Sequence, residues 1–184
     1  MGAIVLLSCS DATAPVVPEE PELTLVAVGE TSPTGVVDSE VTLAVRIDSV
    51  AGSGHAGADV VWSVDAGSGA IVSANPSGSD DTGHASAVWR LGTTAGTQQA
   101  HASLQNRGSA LRVTFTATVQ PGPAVTASLT ADTLLLSARG ETAFLAPAYF
   151  DAFGNETTGS GVSWASRDPT VVTTAVDGLV TGGT

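Results

Sequence analysis

The run LRVTFTATV, Leu111 to Val119, sets the terms for the whole chain. Its apolar residues, Leu111, Val113, Phe115, Ala117 and Val119, fall at every second position. Successive side chains of an extended strand point to opposite faces, so this run fits a strand with one buried and one solvated face. VTLAVRI repeats the pattern through Val41, Leu43, Val45 and Ile47, and VVWSV through Val60, Trp62 and Val64. ASAVWRL carries it less cleanly, around Ala87 and Trp89 or around Val88 and Leu91. No stretch has a convincing helical period. The connecting segments, such as DDTGH (Asp80 to His84) and GTTAG (Gly92 to Gly96), are turn-formers. With 21 Gly and nine Pro breaking a chain rich in Ser, Thr, Ala and Val, short antiparallel strands are expected throughout. The fold class is all-β.

The pattern recurs. Sliding the sequence by about 102 positions lays Leu43 on Leu145, Ala44 on Ala146, Ile47 on Tyr149, Gly52 on Gly154, Gly57 on Gly159, Val60 on Val162 and Trp62 on Trp164. One strand, a Gly-bounded loop and a Trp-bearing strand therefore occur twice. Pro121-Gly122-Pro123 separates the copies, because proline cannot donate within a central strand. Tandem β-sandwiches are the expectation, residues 23–120 and 124–184, with 121–123 as linker. Ahead of them, residues 10–22 read as an extended tether in which Pro15, Pro18 and Pro21 alternate with acids. The alternative for that segment is a strand through Val16 and Val17.

The tract with Asp80, Gly83, Ala85, Trp89, Leu91, Gly92, Ala95, Gly96 and Gln98 fits D-x-x-G-x-A … W-x-L-G-x-x-A-G-x-Q. On these residues the first unit resembles a bacterial immunoglobulin-like domain of the invasin and intimin type. The second unit, DAFGNETTGSGVSWASRDPTVVTTAVDGLVTG, resembles a group 2 bacterial immunoglobulin-like (BIG) domain. The resemblance spans roughly Glu22 to Thr184. It implies immunoglobulin-like sandwiches serving as spacers, stalks or adhesive tips. It also implies that the second sandwich is incomplete at its C-terminus by about two strands, with an open edge and an uncovered core face. A fragment of a longer gene product is the expectation, and a strand donated by another chain the alternative.

Composition excludes more than it assigns. Six Arg, no Lys and 18 acids give a net charge of −12. Phosphate backbones and anionic membranes are bound through clustered cations, so no nucleic acid partner and no basic membrane patch are expected. Gly52, Gly54 and Gly57 spell G-x-G-x-x-G, but a strand rather than a helix follows, so a hairpin loop is expected and not a phosphate cradle. His55, His84 and His101 have no ligand spacing and are read as solvated turn or strand residues. Asp80 with Asp81, and Asp38, Glu40 and Asp48, lack a calcium-loop pattern and are read as turn caps. Asn155 heads a glycosylation sequon and is expected in a left-handed turn position. Trp62, Phe115, Tyr149 and Trp164 lie in the apolar phase and are expected in cores. No catalytic, metal or cofactor-binding residue is assigned, and no enzyme is expected.

The N-terminus MGAIVLLSCS carries the one cysteine of the chain. Leu6-Leu7-Ser8-Cys9 resembles a bacterial lipobox, in which the cysteine is acylated and becomes the new N-terminus. Residues 1–9 are then the remnant of a lipoprotein signal peptide whose positive and apolar portions are missing, as from a start codon assigned too late. The resemblance makes Cys9 the lipidation site and the membrane a partner through that anchor. The alternative is an inert lone cysteine. The expected location is extracytoplasmic, lipid-anchored to the cell envelope or secreted.

Two functions follow as expectations. The first is a non-catalytic surface module, a structural spacer or adhesin stalk whose loops meet a host or matrix protein or a polysaccharide. The second is an accessory module, carbohydrate-binding for example, of a larger secreted polysaccharide-active enzyme.

Overall fold

The computed structural model describes residues 22–50, 52–107, 111–129 and 133–183. The expected lipobox with Cys9, and the tether up to Pro21, lie outside these residues. Every regular element described is a strand. The first region packs two sheets face to face. One has the order β1 (Leu23–Ala27), β3 (Glu40–Ser49), β7 (His84–Arg90), β5 (Ala70–Ile71). The other runs β2 (Thr34–Val36), β9 (Arg112–Gln120), β8 (Gly96–Leu104), β4 (Asp59–Val64), β6 (Ser77–Gly78). All neighbours are antiparallel except β2 and β9.

Alternation decides what enters the core. Leu43, Val45 and Ile47 of β3 and Ala85, Ala87 and Trp89 of β7 face Val60 and Trp62 of β4 and Phe115, Ala117 and Val119 of β9. The ambiguous ASAVWRL run thus buries its odd-numbered phase, which continues into Leu91. The strand β8 had no clear sequence signal. Its buried phase is Gln98, Ala100, Ala102 and Leu104, too small and too polar to read as an apolar stripe. Those alanines are what make the core close. Ala102 lies opposite Trp62 in the register and Ala100 opposite Phe115, so small residues flank the two largest rings. The rings meet with centroids 6.3 Å apart, within the range of favourable tilted contacts. The indole N–H of Trp62 donates to Ser77 Oγ at 2.8 Å, and that of Trp89 to the Ser68 carbonyl at 2.6 Å. Neither buried donor is left unpaired.

The second region forms two three-stranded sheets. They are β10 (Thr126–Leu129), β12 (Pro147–Phe150), β13 (Glu156–Thr157), and β11 (Thr142–Phe144), β15 (Leu179–Gly182), β14 (Val172–Thr174). Here Val180 is the one fully buried apolar side chain among the described residues. The expected Trp-bearing strand is corrected: Val162 to Trp164 forms no strand and joins no ladder. In the first region β4 is paired with β8, whereas Val162–Trp164 is paired with none of the described strands. Trp164 and Tyr149 are half-buried rather than in a core, and Phe144 is 61% exposed.

The hairpins at matching sequence positions share their backbone bonds. Ser49 N–H donates to the Ser53 carbonyl at 2.9 Å and Asp151 N–H to the Asn155 carbonyl at 2.9 Å. Gly52 N–H returns to Ser49 and Gly154 N–H to Asp151. Gly52 and Gly154 have φ of 80° and 83°, a left-handed conformation that favours glycine. Gly54 has a different reason to be glycine: a Cβ there would strike the Thr82 carbonyl.

Candidate functional site

The most heavily built polar site is the joint between the two regions. Its upstream half is the loop Gly92–Ala95, between β7 and β8. Buried Gln98 holds that loop from beneath: Oε1 accepts from Gly92 N–H at 2.7 Å, and Nε2 donates to the Thr94 carbonyl at 2.7 Å. This fixes the direction of the Thr93 carbonyl and the Ala95 N–H. The downstream half is the Asp151–Asn155 hairpin. Asn155 reaches across, with Oδ1 accepting from Ala95 N–H at 2.9 Å and Nδ2 donating to the Thr93 carbonyl at 2.8 Å. Nδ2 also donates to Asp151 Oδ2 at 2.9 Å, so the amide's partners admit one orientation.

Asp151 is the centre of the joint and is 3% exposed. Its Oδ1 accepts from the N–H groups of Phe153 and Asn155 at 2.8 and 2.9 Å, and its Oδ2 from the linker's Gly122 N–H at 2.8 Å. Thr157 Oγ1 donates to the Gly122 carbonyl at 3.0 Å, so both polar groups of that glycine are taken by the second region. Burial by itself raises the Asp151 pKa and is the largest single influence. The hydrogen bonds from the Asn155 side chain and from the Gly122, Asn155 and Phe153 amides together outweigh it, and the carboxyl falls from 3.8 to about 2. The carboxylate is therefore ionised at neutral pH.

Two sequence expectations are corrected here. Asn155 does not occupy a left-handed position; Gly154 does, and Asn155 acts through its side chain. A sequon reading could not see this, because its partners lie 60 and 62 residues upstream. His101 is not solvated. It is 6% exposed, with Nδ1 3.0 Å from Thr114 Oγ1 and Nε2 3.0 Å from Asp65 Oδ1. Strand pairing itself sets Thr114 opposite His101, so the three form a cross-strand clasp on the outward side of the sheet. The sequence signal was period two at polar positions, which carries no hint of partners.

Several acids of the first region are engaged within its own strands and turns. Asp80 Oδ1 accepts from Thr82 N–H, Thr82 Oγ1 and His84 N–H, and the Thr82 hydroxyl contributes most to lowering its pKa. Glu40 pairs with Arg90, and Asp48 with Arg46, each at 2.9 Å. Among the described residues no three His, Cys, Asp or Glu side chains converge as metal ligands, and no helix is long and apolar enough to cross a membrane. Over the second region lies a groove of about 670 Å³, lined by Leu134, Leu136, Leu145, Val172 and Val180 and flanked by Arg139 and Arg167.

The order β1-β3-β7-β5 facing β2-β9-β8-β4-β6 divides the chain's first extended segment between two sheets, as β1 in one and β2 alongside β9 in the other. The first region is an immunoglobulin-like sandwich. No family model matches the chain, and no curated protein does. Among solved structures it is similar to domains 4 and 5 of the S-layer protein SbsC, at 13% identity and TM-score 0.43 over 54% of this chain and 53% of that one. It is similar to the D00-D0 domain of intimin, at 19% identity and TM-score 0.42 over 54% and 48%. It is also similar to the Escherichia coli adhesin FdeC, at 14% identity and TM-score 0.45 over 88% and 55%. The chain spans about half the length of each.

Proposed function

We propose that this chain is a non-catalytic extracytoplasmic module, a structural spacer or adhesin stalk, tethered to the cell envelope by a lipid on Cys9. One observation carries the reading. The polar groups that the family-like motifs contribute, Gln98 of the first and Asp151 and Asn155 of the second, are engaged in joining two β regions in series. A rod-like element needs connected units more than it needs a reaction centre. The S-layer and adhesin names of the similar structures agree with a surface role.

A pull-down against host, matrix and polysaccharide ligands separates stalk from tip. Binding that is weak and survives loop substitutions marks a spacer, and saturable binding abolished by one loop substitution marks an adhesin. Recovery of a reading frame that runs on into a catalytic domain would replace both with the accessory-module reading. For the anchor, palmitate labelling of the full-length protein is expected to vanish in Cys9→Ser; equal labelling of both forms removes the lipid from the proposal.

A further inference from the structure

We infer that Asp151 and Asn155 form a cation-independent latch that holds the two regions at a single angle. The inference rests on the joint's geometry alone and stands whether the module is a stalk, a tip or an accessory domain. Three features carry it. First, the latch crosses the joint twice by different routes. Asp151 grips the linker at Gly122, and Asn155 grips the loop Thr93–Ala95. A single bond would leave a pivot, whereas two separated grips fix an orientation. Second, each half is stiffened from within its own region, the loop by Gln98 and the hairpin by the amides of Phe153 and Asn155 closing on Asp151 Oδ1. Third, the carboxylate is saturated by four N–H donors, two to each oxygen. A bound cation would have to displace those donors, so the amides do here what a calcium ion does between acidic loops.

The chain holds its own control. The matching hairpin of the first region has the same backbone bonds, but Ser49 and Ser53 stand where the second has Asp151 and Asn155. Its hydroxyls bond within the turn, Ser49 Oγ lying 3.0 Å from Ser53 Oγ. The backbone turn is therefore shared, and the latch belongs to the two side chains.

The test uses the full chain in a Cys9→Ser background, with spin labels on cysteines at exposed Thr42 and Thr173, read by pulsed dipolar spectroscopy. The unlatched-variant-free protein is expected to give one narrow distance, unchanged by millimolar calcium chloride or by EDTA. Asp151→Asn keeps size but turns an amide N–H₂ toward N–H donors, and Asn155→Asp sets two carboxylates together; in both the single peak is lost. Ser49→Ala leaves it intact. Asn155→Ala guards against mere unfolding: the Ala95 amide loses its hydrogen-exchange protection while the β11–β15 amides keep theirs. A narrow peak in Asp151→Asn and Asn155→Asp overturns the inference. So does a broad distribution in the starting protein, or one that calcium sharpens.

Discussion

Trp62 and Trp164 stand at matching places in the sequence, each in an alternating run behind a Gly-bounded loop. Trp62 is 2% exposed and Trp164 is half-buried. Their neighbours differ in the same sense. Leu43, Ile47 and Val60 are fully buried, whereas Leu145, Tyr149 and Val162 are only partly so. An apolar phase specifies which face a strand would bury, and nothing about whether another element arrives to bury it. In the first region the two facing sheets cover each other's phase, β3 and β7 against β4 and β9. In the second, Tyr149, Val162 and Trp164 stay half-buried and Leu145 lines an open groove.

The largest expected effect sharpens this contrast. Trp62→Ala should cost about 3–5 kcal/mol in denaturant unfolding, the range for emptying a large aromatic site in a closed core. Trp164→Ala should cost less than half of that, and equal costs would break the comparison. Trp89→Phe comes next. It keeps an aromatic ring but shrinks it and leaves the Ser68 carbonyl without its donor; the lost hydrogen bond alone should cost about 1–3 kcal/mol.

An acid titration sets the joint against the turns. The Asp151 carboxyl has a folded pKa of about 2 against 3.8 for the free group. A lowered folded pKa means that its contribution is complete above pH 3.8 and is lost as pH falls through about 2. Asp80 and Asp168, lowered chiefly by the Thr82 and Thr170 hydroxyls, carry the same sign but sit in exposed turns. Acid should therefore loosen the joint, read as loss of Ala95 amide protection, while Asp151→Asn removes that pH dependence and Asp80→Asn leaves it. The smallest effect belongs to the open surface. Val176 is 96% exposed, and Val176→Ser should change stability by no more than about 0.5 kcal/mol.

The strands of the first region were legible wherever large apolar residues alternated, as in β3, β4 and β9. The strand β8 escaped because its core-facing residues are two alanines, a glutamine and a leucine. The joint escaped for another reason. Gln98, Asp151 and Asn155 each look like ordinary turn or strand polar residues; Gln98 bonds within its own loop, and what joins the regions is the reach of Asp151 to Gly122 and of Asn155 to Thr93 and Ala95. Histidine spacing carried no hint of the buried clasp of His101, which exists only because β8 pairs with β9 in one register.

Sequence by itself determined the all-β class, the short alternating strands and the glycine turns, because these depend on local backbone preference and a period of two. Tertiary structure decided which apolar phase is covered, which amides saturate Asp151, and that Asn155 spans two regions. Those outcomes depend on register and on contacts between separate segments, 29 residues apart for Asp151 with Gly122 and 60 and 62 for Asn155 with Ala95 and Thr93, which local preference does not encode.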